Sequence, residues 1–421
     1  MSLLKIPADT ALTRALLGGF VLLCVGGATV AAKWAIGSTL AAGSREREIT
    51  EVGVALAPGD ALARNAHAAV LEKTFDMEAF ARSLGEHEAA VAISPHDYRL
   101  WLGLGRSRER NGDRVGAEAA YRRAEELAPN YSRIHWALGN LLVRDGRFDE
   151  GFAHIRRAAE TDSTFAAPAV AAAWLAFGGD VPSVTAALGD GDNTRVELAR
   201  SLAAQKRFDE SLAVWNSIPA ERRQANFAEQ GKALAEKALA EGRFRIAMNI
   251  SNEFAETPSQ PETVTNGGFE SPIRPKSAGP FDWKNIEGVY PQIGPTGGQK
   301  KAGEASLLIR FGDPTNLEFR PLSQTSAVEP GGRYSLSLSH RSELKTQAVF
   351  RWEVIAGTSG ARLAATEPLA AGNGWIDTSI DFAVPVDVDG ITVRLVRENC
   401  GAPICTVAGT IWFDEFQMRR L

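Results

Sequence analysis

The residue types that most often carry out chemistry in proteins are few and scattered in this sequence. Its 421 residues include six histidines and three cysteines, and their spacing shows no serine–histidine–acid set and no histidine-rich metal arrangement. Residues 297–301, GGQKK, lack the spacing and the following helix of a phosphate-binding loop. Two facing carboxylates, as in glycoside hydrolases, are the catalytic arrangement that the sequence leaves open. We therefore predict that the protein is not an enzyme and holds no catalytic cofactor.

The cysteines and the overall charge restrict the class of protein further. Three cysteines are too few for a disulfide-rich scaffold. Cys400 and Cys405 are spaced C-x4-C, so they could form one small disulfide in an oxidising compartment or remain two free thiols. A formal net charge of -5 argues against a nucleic-acid partner, because phosphate binding requires a concentrated basic surface. The length predicts two or three domains, and a hydrophobic content of 44% predicts that they are folded.

The first element that positions the rest of the chain is an apolar segment near the N-terminus. Residues 15–32 contain no charged side chain, and as a helix they would be about 27 Å long, close to the thickness of a bilayer core. Lys33 and Trp34 follow directly, as interfacial anchors do. These features predict one N-terminal transmembrane helix.

We place a short cytoplasmic tail at 1–14, the transmembrane signal anchor at 15–37 and a linker at 38–59. A cleaved signal peptide is the alternative, because residues 30–32 resemble a cleavage site. Basic residues on both sides of the segment do not decide its orientation, but the short tail favours export of everything downstream. The prediction is a single-pass protein of the inner (cytoplasmic) membrane with the bulk of the chain in the periplasm.

A repeating pattern of small and large residues covers the middle of the chain. Eight positions recur 34 residues further on, which is the period of a helix–turn–helix repeat. The first set is Trp101, Leu104, Gly105, Gly112, Ala117, Tyr121, Ala124 and Pro129, and the second is His135, Leu138, Gly139, Gly146, Gly151, Ile155, Ala158 and Ser163. The first set matches the pattern W-x2-L-G…A-x3-[FY]-x2-A-x4-P. The region of about residues 61–255 therefore resembles the tetratricopeptide repeat (TPR).

Weaker copies extend the pattern on both sides. The phrase GRFDEG at 146–151 returns as KRFDES at 206–211 and, degraded, as GRFRIA at 242–247. The wider first spacing indicates an irregular helical insert near 166–191. We predict about five helix pairs in a domain at 60–256, with the end helices acting as caps.

The resemblance implies that the repeats bind a peptide or protein on a concave face lined by the first helix of each pair. Arginine forms forked, charge-assisted bonds to carboxylates, so an arginine row there predicts recognition of a chain end or an acidic segment. A solvated helix face with ordinary surface arginines is the alternative. Besides Leu102, the predicted groove residues are Arg99, Arg106, Arg110, Arg133, Trp136, Asn140, Arg144 and Arg200.

The composition changes at residues 257–261, TPSQP, which we predict to be a linker. Beyond it, glycine, proline, threonine and serine separate short runs in which apolar and polar residues alternate. The runs are 306–311, 333–339, 348–355, 376–382, 391–396 and 410–416. They predict an antiparallel β-sandwich or jelly roll at 262–421, so the fold class is multidomain, α then β.

Several motifs of this region resemble those of a known domain family. They are NGGFE at 266–270, GEASL at 303–307, PGGRYSL at 330–336, a segment at 375–385 and IWFDEF at 411–416. Together they resemble the galactose-binding-like jelly roll of bacterial carbohydrate-binding modules that accompany xylanases and cellulases. The resemblance covers about residues 262–421 and implies a glycan ligand.

Sugar binding requires exposed aromatic rings with polar side chains around them. Alternation along 348–355 places Trp352 on one face and Arg351 and Glu353 on the other, and either face could be the core. Trp283 and Trp375 match positions at which members of the family have an aromatic residue that packs in the domain core. The glycan-binding candidates are Tyr290, Arg351, Trp352, Glu353 and Trp412.

The resemblance also implies a structural calcium ion near the first and last strands. Glu270 and Asp414 are the matching positions, and carboxylate oxygens suit this hard cation. The alternative is that both acids accept hydrogen bonds from nearby backbone amides.

These features predict a membrane-anchored extracytoplasmic scaffold. Its repeats would bind a protein partner and its jelly roll a glycan, in the assembly or export of envelope polysaccharide. The alternative is a purely protein–protein interaction scaffold of the cell envelope whose sandwich is only structural.

Overall fold

The computed structural model describes residues 10–74, 77–273, 276, 278–285, 291–312, 319, 321–398 and 406–421. The chain forms two compact units, Met1–Thr194 and Arg195–Leu421. The first unit is helical, whereas the second combines helices with an antiparallel β-sandwich. The predicted fold class, helical repeats followed by a sandwich, is confirmed.

The helices of the first unit are α1 (Ala11–Gly43), α2 (Arg47–Leu56), α3 (Ala61–Leu71), α4 (Met77–Ile93), α5 (Tyr98–Arg110), α6 (Arg114–Leu127), α7 (Ser132–Arg144), α8 (Phe148–Thr161), α9 (Ala166–Phe177) and α10 (Val181–Leu188). Helix α11 (Asp192–Ala204) begins at the boundary, and α12 (Phe208–Asn216), α13 (Ala220–Asn226), α14 (Ala228–Ala240) and α15 (Phe244–Asn252) belong to the second unit. The insert near 166–191 is the shorter pair α9 and α10.

Helix α1 is long and apolar enough to cross a membrane, and an N-terminal signal sequence would have the same features. Its C-terminal part packs closely on α2. A Cβ atom on Gly37 would lie 2.6 Å from the carbonyl oxygen of Gly53, so only glycine fits there. The prediction of a linker at 38–59 is wrong, because small residues let the end of α1 and the whole of α2 pack as helices.

Glycines at the repeated positions let paired helices approach each other. A Cβ atom on Gly105 would lie 2.4 Å from the ring of Tyr121, and one on Gly139 would lie 2.8 Å from the carbonyl oxygen of Gly151. These contacts join α5 to α6 and α7 to α8. The predicted TPR-like helix pairs are therefore present.

The turns α5–α6, α7–α8 and α11–α12 each hold a residue in the left-handed region. Gly112 and Gly146 occupy it with φ of +82° and +78°. Lys206 takes the equivalent place between α11 and α12 with φ 62°. A side chain with a Cβ atom is strained in this region, so this turn is less stable than its counterparts.

The strands are β1 (Lys284–Asn285), β2 (Gln292–Thr296), β3 (Ser306–Phe311), β4 (Leu322–Ala327), β5 (Arg333–Ser342), β6 (Lys345–Thr346), β7 (Val349–Ala356), β8 (Arg362–Ala365), β9 (Gly372–Ala383), β10 (Gly390–Glu398) and β11 (Val407–Arg420). They form two antiparallel sheets, β1-β4-β10-β7-β8 and β2-β3-β11-β5-β9, with β6 beside β11. Strands β3, β4 and β5 alternate between the two sheets, as in a jelly roll.

An aromatic cluster fills the space between the sheets. The ring centre of Trp352 on β7 lies 5.2 Å from that of Phe413 and 4.8 Å from that of Phe416, both on β11. Trp283 completes the cluster at 5.9 Å from Trp352. Because large rings must be buried together, this cluster decides which face of β7 points inward.

Helix α15 packs on one end of the sandwich within the second unit. The ring of Phe244 lies against Gly357 and Gly390, where Cβ atoms would come within 2.3 Å and 2.0 Å of it. The carboxylate of Asp389 accepts the backbone N–H of Phe244 at 3.0 Å and that of Arg245 at 3.4 Å. A sandwich residue thus caps the N-terminus of the last repeat helix. The compact unit that contains the sandwich therefore starts inside the helical region.

Candidate functional site

A pocket of about 260 Å³ lies between the helices of the first unit. Asp97 starts α5 by accepting the N–H of Arg99, and the helical period then places Arg99, Arg106 and Arg110 on one face. Arg133 joins them from α7. We call this the arginine pocket, and its lining residues are Asn65, Ala69, Glu72, His87, Arg99, Leu102, Gly103, Arg106, Arg110, Tyr131 and Arg133.

The four arginines of the pocket differ in whether they already have an anionic partner. Arg110 forms a salt bridge with Glu72, and Arg99 forms one with Asp97 at 2.6 Å. In the described part of the chain, the guanidinium groups of Arg106 and Arg133 form neither a hydrogen bond nor a salt bridge, and both residues are exposed. The charge of Arg133 acts on Asp162 without forming a salt bridge with it. These two guanidinium groups are therefore the cations that an anionic ligand would meet.

Glu72 and His87 form the buried wall of the pocket. Nε2 of His87 lies 3.4 Å from Oε1 of Glu72. Burial raises the pKa of Glu72, but the hydrogen bond from His87 and the charge of Arg110 outweigh burial and hold that pKa below its ordinary value. Nδ1 of His87 is buried without a hydrogen-bond partner among the described residues.

The other predicted groove residues have partners of their own outside this pocket. The ring of Trp136 packs on Phe165 with 5.2 Å between centres, and Asn140 donates to the carbonyl oxygen of Trp136 at 2.7 Å. Arg144 pairs with Glu109. Arg200 belongs to the second unit and pairs with Glu197 at 2.7 Å. The structure thus brings together Arg99, Arg106, Arg110 and Arg133 but not the full predicted row.

In the sandwich, the proposal that Trp352 stacks on a glycan is wrong. Its side chain is 0% exposed, because β7 turns this face toward the opposite sheet. Trp283 is buried in the same cluster, as the resemblance implied. Three predicted residues, Tyr290, Cys400 and Cys405, lie outside the described residues.

Arg351 and Glu353 lie on the outer face of β7, and both are engaged within the protein. Glu353 forms salt bridges with Arg362 at 3.2 Å and Arg394 at 3.0 Å, and its side chain is 9% exposed. Arg351 donates to the carbonyl oxygen of Thr366 at 3.0 Å. A ligand at this face would have to displace these contacts, which are strong because they are partly buried.

Trp412 lies on the outer face of the six-stranded sheet. Its side chain is only 8% exposed, because the guanidinium of Arg341 covers the ring at 5.5 Å from its centre. On the same sheet, Ser337 of β5 pairs with Ser379 of β9, whose side chain is exposed. This face combines hydroxyl groups with one covered aromatic ring.

The carboxylates of Glu270 and Asp414 receive backbone N–H groups. Glu270 accepts from Glu304 at 3.0 Å. Asp414, which is fully buried, accepts from Lys301 and Glu415 at 2.8 Å each. Calcium requires oxygen ligands, and N–H donors already occupy these carboxylates. The backbone N–H groups of the alternative are therefore present at both carboxylates, and the calcium ion stays a prediction.

One group of side chains with metal-binding chemistry was not predicted from the sequence. Glu125, His135 and His154 come from three successive helices, and their ligand atoms lie within 4.8 Å of one another. His135 stands where the preceding repeat has Trp101, and this departure from the repeat was the one available signal. The grouping itself depends on how α6, α7 and α8 pack.

No family model and no curated protein matches this sequence. Among solved structures, a carbohydrate-binding module of family 4 is similar at 16% identity, with a TM-score of 0.28 over 38% of this chain and 99% of that one. YrrB, a TPR protein with a peptide-binding site, is 13% identical, with a TM-score of 0.27 over 49% of this chain and 91% of that one. The MamA protein is 12% identical, with a TM-score of 0.31 over 48% of this chain and 96% of that one. Because these TM-scores are below 0.5, the fold assignment rests on the helix pairing and the strand order.

Proposed function

We propose that the protein acts by binding rather than catalysis, and that its arginine pocket holds a carboxylate-bearing segment of a protein partner. The observation that carries this proposal is the pair Arg106 and Arg133, which face one pocket without an anionic partner in the described chain. Charge-assisted bonds from such arginines to a carboxylate are among the strongest polar contacts in proteins.

The volume of the pocket limits the size of the ligand. The pocket volume of about 260 Å³ is below the roughly 300–1,000 Å³ of ordinary small-molecule sites. It therefore suits the last residue of a chain, or one acidic side chain, with the rest of the peptide lying outside.

Fluorescence anisotropy with the full chain in detergent micelles tests this proposal. The probes are labelled acidic peptides with a free C-terminal carboxylate and the same peptides with an amidated C-terminus. Losing a hydrogen bond to a charged group costs about 1.5–3 kcal/mol when the group is buried, so at these exposed positions we expect Arg106→Gln and Arg133→Gln each to weaken binding about tenfold.

Arg123→Gln is the matched control, because Arg123 lies on α6 outside the pocket and pairs with Glu126 at 2.6 Å. Binding that Arg106→Gln and Arg133→Gln leave unchanged would refute the assignment of the pocket. Weaker binding of the amidated peptides identifies a chain end, whereas equal binding identifies an acidic segment.

The membrane and periplasmic parts of the proposal rest on α1. We propose that α1 stays attached as an anchor, because one unbroken helix, Ala11–Gly43, runs through the cleavage-like residues 30–32 into the turns that pack on α2. N-terminal sequencing of the mature protein tests cleavage, and a periplasmic activity reporter fused at Leu421 tests export. A mature chain that starts after residue 32, or an inactive reporter, would contradict this placement.

A glycan is the second proposed ligand, and the outer face of the six-stranded sheet is its proposed site. The support is the exposed Ser379 beside Ser337, with Trp412 further along the same sheet opposite Arg341. Affinity electrophoresis of the full chain in bacterial exopolysaccharide and in β-glucan tests it. Retention that Ser379→Arg abolishes and the loop variant Ser359→Arg preserves would support glycan binding at this face, which a role in polysaccharide assembly or export requires. No retention in either gel favours the alternative of a structural sandwich in a protein-interaction scaffold.

A further inference from the structure

Three side chains from successive helices of the first unit converge beside the repeat core. Nδ1 of His135 lies 3.2 Å from Nδ1 of His154, and Oε1 of Glu125 lies 3.5 Å from each of these nitrogens. Glu125 is near the end of α6, His135 near the start of α7 and His154 in the middle of α8. The three atoms form a nearly equilateral triangle.

The hydrogen bond of His135 to the backbone determines which ring nitrogen can bind a metal ion. Its Nε2 donates to the carbonyl oxygen of Pro129 at 2.8 Å, so the neutral ring carries its proton on Nε2 and a lone pair on Nδ1. A backbone carbonyl bound to the far nitrogen is the usual support of a metal-binding histidine, since it sets both tautomer and ring orientation.

The triangle has the size that a tetrahedral ion requires. Bonds of about 2.0–2.1 Å to imidazole nitrogen and carboxylate oxygen hold the ligand atoms of a zinc ion roughly 3.3–3.4 Å apart. The distances of 3.2 Å, 3.5 Å and 3.5 Å lie on either side of this value. The ring centres of the two histidines are 5.5 Å apart, so the Nδ1 atoms face each other. Both rings must rotate to aim these atoms at a common ion beside the line that joins them.

We propose that Glu125, His135 and His154 bind a divalent transition metal ion of the zinc type. Two imidazoles and one carboxylate are the ligand types that zinc accepts, and they leave a fourth position for water. The side chain of His135 is 5% exposed and that of Glu125 is 26% exposed, so the ion enters from the Glu125 side. Bound there, it would join α6, α7 and α8 and stabilise two adjacent repeats.

The surrounding charges permit a cation at this place. The positive charge of Arg122 acts on His154, and Arg122 is already paired with Glu118 at 2.7 Å and with Glu150 at 2.5 Å. The two carboxylates offset its charge. A competing explanation of the same contacts is a proton shared between the two Nδ1 atoms, which needs no ion.

Cobalt and zinc titrations of the full chain distinguish these explanations. The protein is purified in detergent without a histidine tag, stripped with a chelator and titrated with Co²⁺, whose tetrahedral complexes absorb strongly in the visible range. We expect one Co²⁺ per chain and its displacement by Zn²⁺. We also expect Zn²⁺ to raise the unfolding temperature, because an ion that binds only the folded state stabilises it.

His154→Gln and Glu125→Gln each remove one ligand atom from a partly exposed position. Loss of a supporting residue alone costs about 10–100-fold in metal affinity, so each variant should lose at least about tenfold. His96→Gln is the matched control, because His96 is exposed in the turn before α5, away from the triangle. Absence of tetrahedral cobalt absorption in the parent chain, or equal affinity in His154→Gln and the parent, would overturn the proposal and leave the shared proton.

Discussion

The contact between Asp389 and helix α15 allows a quantitative test of how the sandwich is joined to the repeats within the second unit. Asp389→Ala removes the acceptor of the Phe244 and Arg245 amides and nothing else, since the backbone carbonyl that accepts from Val328 remains. Loss of a helix cap costs about 0.5–2 kcal/mol, and loss of a carboxylate at the positive end of a helix dipole costs about 0.3–1 kcal/mol. The two effects overlap because they come from one carboxylate, so we expect a loss of about 1–2 kcal/mol.

Hydrogen exchange read by mass spectrometry localises this loss. A change of 1–2 kcal/mol corresponds to about 5–30-fold faster exchange, which we expect in peptides that cover α15 and not in those that cover α5 to α8. Asp389→Asn keeps an oxygen acceptor and should lose only the smaller, charge-dependent part.

Glu329→Gln is the control within the same contact, because it breaks the exposed Arg245–Glu329 salt bridge. Such exposed pairs contribute at most about 1 kcal/mol, so its effect should be the smaller. The reasoning is refuted if exchange in α15 is the same in Asp389→Ala and the parent chain, or if Glu329→Gln has the larger effect.

Three further predictions concern single positions. Trp352→Ala should lower the free energy of unfolding, measured by chemical denaturation, by about 3–5 kcal/mol. Trp352→Phe should lower it much less, because the indole N–H has no hydrogen-bond partner in the described structure. Equal losses in the two variants would contradict the packing argument. Lys206→Gly should raise the free energy of unfolding by about 0.5–1 kcal/mol, because the relief of backbone strain in the left-handed region exceeds the loss of an exposed salt bridge. A decrease in the free energy of unfolding would show that the turn is unstrained. The pKa of Glu72 is lowered in the folded protein, so its contribution is complete above its ordinary value of 4.5 and is lost as the pH falls through the folded pKa. The stability advantage of the parent chain over Glu72→Gln should therefore shrink between neutral pH and about pH 3, and an advantage that grows on acidification would contradict the assigned contacts with His87 and Arg110.

The repeats were predictable because their signal is local. Gly105 and Tyr121 recur as Gly139 and Ile155, and each pair is a contact between helices that a short turn holds together. The same period indicated that Arg99, Arg106 and Arg110 share one helix face. It did not show that Arg99 and Arg110 already have acidic partners, because Glu72 reaches Arg110 from the preceding repeat.

In the sandwich, the sequence predicted the strands but not which of their residues are buried. Alternation along 348–355 identified two faces and left both Trp352 and its neighbours Arg351 and Glu353 available to a ligand. The choice depended on which face met Phe413 of the other sheet, a contact between residues far apart in the chain. The acids Glu270 and Asp414 were recognised as a pair at the domain ends, but only the folded loops supplied the N–H groups that occupy them.

The sequence by itself determined the kinds of structure along the chain: an apolar helix, a helical array and an alternating β region. It could do so because hydrophobic period and turn residues act over a few positions. Only the tertiary structure decided that 38–59 is packed helix, that α15 belongs with the sandwich and that Trp352 is core. It also decided that Glu125, His135 and His154 lie close together, because helix packing brings side chains from three helices to one point. A local sequence pattern does not determine the distances between side chains on different helices.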